Sequence, residues 1–106
     1  MGPGVNRGEV WLAQAGRKRR PVLILTRSEV LDVRSLVTVA EVTTTMRGLA
    51  AEVELDHEVI GLERDSVVNC DGLHTIAQAA LTQLVGTVDE PTMERVCCAV
   101  SYAHGC

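Results

Sequence analysis

Three residue types suited to phosphate chemistry stand at the ends of strand-like runs in this chain. Arg20 closes the basic cluster Arg17-Lys18-Arg19-Arg20 and directly precedes "PVLILT". A guanidinium anchored at the entry to a rigid strand suits two-pronged contact with a phosphate. Thr43 ends the run "TVAEVT", where a hydroxyl can point out of a sheet. Asp71 ends "SVVNCD". In a small barrel, strand ends converge on a mouth or groove. An Arg, a Thr and an Asp gathered there can bind a phosphodiester, stabilise its developing charge and move a proton. The same three also have a plain structural account: Arg20 pairs with a carboxylate, Thr43 is there for its β-propensity, and Asp71 caps a turn.

The rest of the inventory narrows the chemistry. There is no phosphate-binding loop, no nucleophile elbow, no H-E-x-x-H and no dinucleotide fingerprint. His57, His74 and His104 are not joined by any spacing, and read as exposed loop histidines. Cys70, Cys97, Cys98 and Cys106 form no C-x-x-C pair. Adjacent cysteines on a helix point about 100° apart, so buried reduced thiols are expected rather than a metal site, and no cofactor is implied. The formal charge of −4 argues against a broad nucleic-acid-coating surface but leaves room for a small basic groove. With one Trp, one Tyr and no Phe, base stacking on an aromatic platform is excluded as the main mode of RNA binding.

The elements that must position these residues can be read from periodicity. A chain of 106 residues is one domain by length, with residues 1–6 as a flexible tail and Arg7 at its end. No apolar run approaches the ~18 residues of a membrane span, and no signal peptide is evident. "GEVWLAQ" (8–14) alternates Val10 and Leu12 against Glu9 and Trp11 as a strand. "PVLILTR" (21–27) is apolar on both faces, as interior strands are. "SEVLDVRS" (28–35) reads as a short helical turn. Residues 36–45, 50–56, 65–71 and 84–88 read as further strands. "LHTIAQAALTQ" reads as strand and then one helical turn. "DEPTMERVCCAVSYA" (89–103) reads as a helix with Met93, Val96, Cys97, Val100 and Ala103 on its packed face. The expected architecture is α+β but mainly β: a small antiparallel barrel with a C-terminal helix packed on it.

Taken together, "RGEVW", "KRRPVLILTR", "TVAEVTTTMRGLAAEVEL", "GLERDSVVNCDGLHTI" and "LVGTV" resemble, in order and spacing, the MazF/PemK (Kid-like) toxin family, most nearly its compact mycobacterial-type members. The resemblance implies an SH3-like β-barrel, a homodimer and a bacterial cytoplasmic location. It implies a metal-independent endoribonuclease that cuts single-stranded RNA by 2′-hydroxyl attack, leaving a 2′,3′-cyclic phosphate and a 5′-hydroxyl. It further implies a MazE-type antitoxin whose acidic tail fills the RNA groove. By the resemblance Arg20 and Thr43 match the catalytic Arg and Thr/Ser, and Asp71 matches a general base. Arg17, Lys18, Arg19, Asn69, His74 and Thr75 are expected to bind RNA. The chain departs from the pattern at three places. Asn69 replaces an Arg. The loop "AQAGRKR" is short and lacks the family's loop His or Glu. Glu41 stands where Pro is usual, two residues from Thr43 on one strand face, which leaves open both a loss of activity and a part in positioning a proton. Two other activities are compatible with such a fold: gyrase poisoning of the CcdB type, for which the end "AVSYAHGC" lacks the Trp, and a non-catalytic SH3-like binding module.

Overall fold

The computed structural model describes residues 4–15, 17–27 and 35–105. The helical turn expected at 28–35 lies, except for Ser35, outside them. Among these residues six strands are formed: β1 Glu9–Ala15, β2 Lys18–Ile24, β3 Leu36–Thr43, β4 Glu52–Leu55, β5 Ser66–Ala77 and β6 Leu81–Thr87. Among the described residues two helices join them, α1 His57–Ile60 and α2 Glu90–His104, with a 3-10 turn at Gln78–Ala80. The sheet order is β4-β5-β3-β2-β1-β6, and every pairing is antiparallel. The sheet curls into a half-barrel, as expected of an SH3-like fold closed by a C-terminal helix.

Each face of the curl carries its own apolar cluster. Val10, Leu23, Val42, Val53, Val68 and Cys70 turn toward α2 and meet Val96 and Ala99. Trp11, Ala13, Val22, Ile24, Val37 and Val39 form a second cluster on the opposite face. The expected one-sided pattern of β1 is therefore corrected. Both Val10 and Trp11 are buried because β1 lies between β2 and β6 with both faces covered, while Leu12 is half-buried.

Helix α2 starts as its sequence dictates. The Asp89 side chain caps it by accepting from the Thr92 N–H at 2.9 Å, and Pro91 occupies the first turn. Hydrogen bonds from the Thr92 hydroxyl first and its N–H second hold the Asp89 carboxyl below its usual range. The packed face differs from expectation. Val96 and Ala99 are buried, with Met93, Val100 and Ala103 beside them, whereas Cys97 and Cys98 are exposed. Among the described cysteines only Cys70, at 0% exposure, is the buried thiol expected.

The N-terminal segment is not loose where it is described. Val5 packs against the Trp11 cluster. The Arg7 guanidinium donates to the Leu25 carbonyl and to Cys97 Sγ, each at 2.7 Å. The three histidines also sit on regular elements rather than loops: His57 in α1, His74 in β5 and His104 at the end of α2. Gly86 in β6 lies so close to the Ile60 carbonyl of α1 that a Cβ there would collide with backbone.

Candidate active-site groove

The feature that shapes the site is an irregularity in β5. Ala40 of β3 pairs with Leu73, but the next residue, Glu41, pairs with Asn69. Cys70, Asp71 and Gly72 are thus extra residues with no counterpart on β3. Such bulges bend a strand and re-aim its side chains. Cys70 turns its N–H to the Ala51 carbonyl at 2.8 Å. Asp71 is exposed, its N–H donating to Asn69 Oδ1 at 3.1 Å. Gly72 lacks a side chain where one has no room, because a Cβ would run into the Glu41 carboxylate and the Asn69 amide.

Around this bulge opens a groove of about 1020 Å³ on the face away from α2. Its walls bring together Lys18, Arg19 and Arg20 of β2, Thr43 of β3, and Asn69, Asp71, His74 and Thr75 of β5. Arg17 is exposed but is not among the residues lining it. Four cations, with Arg47 as the fourth, face three carboxylates, Glu41, Glu52 and Asp71. The groove is therefore cationic although the chain carries a formal charge of −4.

Arg20 is exposed, and its side chain makes no ion pair or hydrogen bond with any described residue. The expected alternative, a structural pairing with a carboxylate, is not found. The β2–β3 pairing ends at Val22–Glu41. Continued two residues in the same register, Arg20 falls across from Thr43. Thr43 Oγ1 accepts from the Thr45 N–H at 3.1 Å, which fixes the hydroxyl oxygen and leaves its proton to donate. His74 Nε2 lies 3.4 Å from Glu41 Oε2, with 55% of the imidazole side chain exposed.

Glu52 and Arg47 escaped the sequence reading. The Glu52 carboxylate accepts from the backbone N–H of Arg47 at 3.0 Å and of Leu49 at 3.2 Å, tying the loop after β3 against the groove wall. Glu52 was legible as one of the polar positions of β4, but its inward placement follows from the pairing of Glu52 with Asn69.

A guanidinium with no described partner, a fixed hydroxyl, a carboxylate and an imidazole in one cationic groove place the chain in a class of half-barrels whose groove suits an anionic ligand. Residues 6–103 match the family model of the PemK-like, MazF-like toxins of type II toxin–antitoxin systems, and the chain belongs to that family. It is 37% identical over 103 residues to the probable endoribonuclease MazF5 of Mycobacterium tuberculosis, covering 94% of this chain and 93% of that one. The solved structure of the Mycobacterium tuberculosis toxin MazF-mt6 superposes with a TM-score of 0.85 at 41% identity, covering 92% of this chain and 96% of its own. An endoribonuclease from a mycobacterial species, solved in complex with its cognate antitoxin, gives a TM-score of 0.86 at 25% identity over 95% of each chain.

Proposed function

We propose that this toxin is an endoribonuclease that cleaves single-stranded RNA in the β2–β3–β5 groove, without a metal ion. The observation that carries this is Arg20, a guanidinium with no described partner on a fixed strand, lining one cationic groove together with Thr43 and Asp71. The names of the curated relatives, probable endoribonuclease MazF2 and MazF5, support the activity.

In this scheme the carboxylate of Asp71 accepts the proton of a ribose 2′-hydroxyl. The 2′-oxygen attacks the adjacent phosphorus, and the P–O5′ bond breaks. A 2′,3′-cyclic phosphate and a 5′-hydroxyl result. Arg20 stabilises the charge that develops on the phosphorane, since preorganised donors aimed at forming charge give the largest single catalytic effect. Thr43 donates its hydroxyl proton to a scissile phosphate oxygen. Lys18 and Arg19 hold flanking phosphates, and Arg17 adds to the field that draws RNA in. Asn69 and Thr75 present hydrogen-bonding groups to the substrate from β5. DNA, lacking the 2′-hydroxyl, is not cut.

We further place the protein in the bacterial cytoplasm as a homodimer, its groove occluded at rest by a cognate MazE-type antitoxin. Among the described residues no helix is long and apolar enough to cross a membrane. The solved mycobacterial toxin–antitoxin complex supports the partner. The test is purified protein with a mixed-sequence RNA in EDTA, with the product ends mapped. Cleavage to cyclic-phosphate ends that Arg20→Ala abolishes is expected. Loss of cleavage in EDTA, or full activity of Arg20→Ala, overturns the scheme.

A further inference from the structure

The scheme above supplies a base and a charge stabiliser but no good proton donor for the leaving 5′-oxygen. Arginine holds its protons too tightly for that task. The groove contains one better-suited group. His74 and Asn69 are five positions apart on β5, yet across the bulge Asn69 pairs with Glu41 and His74 with Val39, two residues before it, so the His74 side chain reaches the Glu41 carboxylate. The Glu41 carboxylate lies 3.4 Å from His74 Nε2, a contact that is an ion pair when the imidazole carries its second proton. The same carboxylate oxygen lies over Gly72, in the space a side chain on residue 72 would take. No other described residue pairs with the His74 imidazole. More than half of that side chain is open to the groove, with 55% exposed.

We propose that His74 is the general acid of the reaction and that Glu41 is its positioning residue. The inference rests on the ribonuclease reading and deepens it. Imidazolium His74 keeps its Nε2–H toward Glu41 and gives its Nδ1 proton to the 5′-oxygen as the P–O5′ bond breaks. Asp71 takes the 2′-hydroxyl proton as the P–O2′ bond forms. One proton enters the protein and one leaves, and solvent exchange resets both groups. Glu41 thus has a use for the carboxylate that stands where the family usually has Pro.

The discriminating experiment removes the need for an acid. An RNA whose scissile 5′-oxygen is replaced by sulfur has a leaving group that departs without protonation. Under single-turnover conditions with saturating enzyme, His74→Gln is expected to slow cleavage of ordinary RNA by about 10²–10⁴-fold. On the 5′-thio RNA it is expected to run close to the wild-type rate. Glu41→Gln should show the same pattern at smaller amplitude, and Glu41→Asp should recover part of the loss. Arg20→Ala should be slow on both substrates. If His74→Gln is equally slow on both, or equally fast on both, the proposal fails while the ribonuclease reading stands. If the wild-type protein cuts neither RNA, it is the ribonuclease reading that fails.

Discussion

The guanidinium of Arg7 lies 2.7 Å from the sulfur of Cys97, ninety residues further along the chain. The same side chain donates to the carbonyl of Leu25, the residue just after β2. One residue ahead of the first strand thus ties the sheet to the last helix. Hydrogen bonds from a charged donor are stronger than neutral ones, although exposure weakens them. Arg7→Ala is expected to cost about 1 kcal/mol. For a domain of this size that lowers the melting temperature by about 4–8 °C, readable by circular dichroism. Arg7→Lys should lose nearly as much, since an ammonium cannot serve both acceptors in the same forked geometry.

Gly86 is the position where added volume has nowhere to go. The Ile60 carbonyl that a Cβ would strike is backbone, and α1 cannot withdraw without unpacking Ile60, which is 4% exposed, from the core. Overpacking of this kind costs about 1–3 kcal/mol. Gly86→Ala should therefore unfold at lower denaturant concentration with an unchanged m-value, while Gly4→Ala, beside which nothing lies within 4 Å and whose φ is ordinary, should lose almost nothing. A stability of Gly86→Ala equal to wild type would refute the close approach.

The buried thiol predicts an alkaline weakness. Burial, with Asp71 and Cys97 nearby, pushes Cys70 up to about 11 from 9.0. The folded state holds this proton more tightly than the unfolded chain does. The stabilisation is complete below pH 9, where both states are protonated, and is lost as the pH rises through about 11. It is worth at most about 2–3 kcal/mol. Chemical denaturation at stepped pH should show a decline between those values that is shallower in Cys70→Ala. Alkylation of the native protein at neutral pH should label Cys97 and Cys98 and spare Cys70.

The basic approach to the groove predicts a salt effect that is distributed over several residues. Each Lys or Arg that neutralises a phosphate of single-stranded RNA contributes about 0.7 to the slope of log affinity against log salt. Lys18→Ala and Arg19→Ala should each flatten that slope by about this amount and raise KM with little change in kcat. Arg17→Ala, whose residue does not line the groove, should change the slope less and act chiefly on the association rate. Fluorescence anisotropy with an uncleavable RNA across a salt series reads all three.

The strands were legible in the sequence because their β-branched runs are dense and bounded by Gly, Pro and charged residues. The C-terminal helix was legible from Asp89, Pro91 and the apolar spacing that follows. Arg20, Thr43 and Asp71 were read as strand ends; all three line one groove, but only Thr43 ends its strand, while Arg20 lies within β2 and Asp71 in the bulge inside β5. The pairing of Glu41 with His74 was not legible. It joins residues thirty-three positions apart through a bulge, and only register brings them together. A signal was present in Gly72, since an isolated glycine within a strand pattern marks a bulge or a close approach. Cys97 misled because its place on the helical wheel is apolar in type. The side chain sits at the border of the packed face, where Arg7, taken for tail, meets it.

The crowding at Gly72 also sets the order in which this site can change over generations. A methyl group at position 72 would not strain the backbone, whose φ is ordinary there; it would displace the Glu41 carboxylate, the movable end of a flexible side chain. A lineage that keeps the acid at 41 is therefore held to glycine at 72. One that has already exchanged the acid for a short residue has lost that particular obstacle. The two positions, thirty-one residues apart in the gene, should vary together rather than singly.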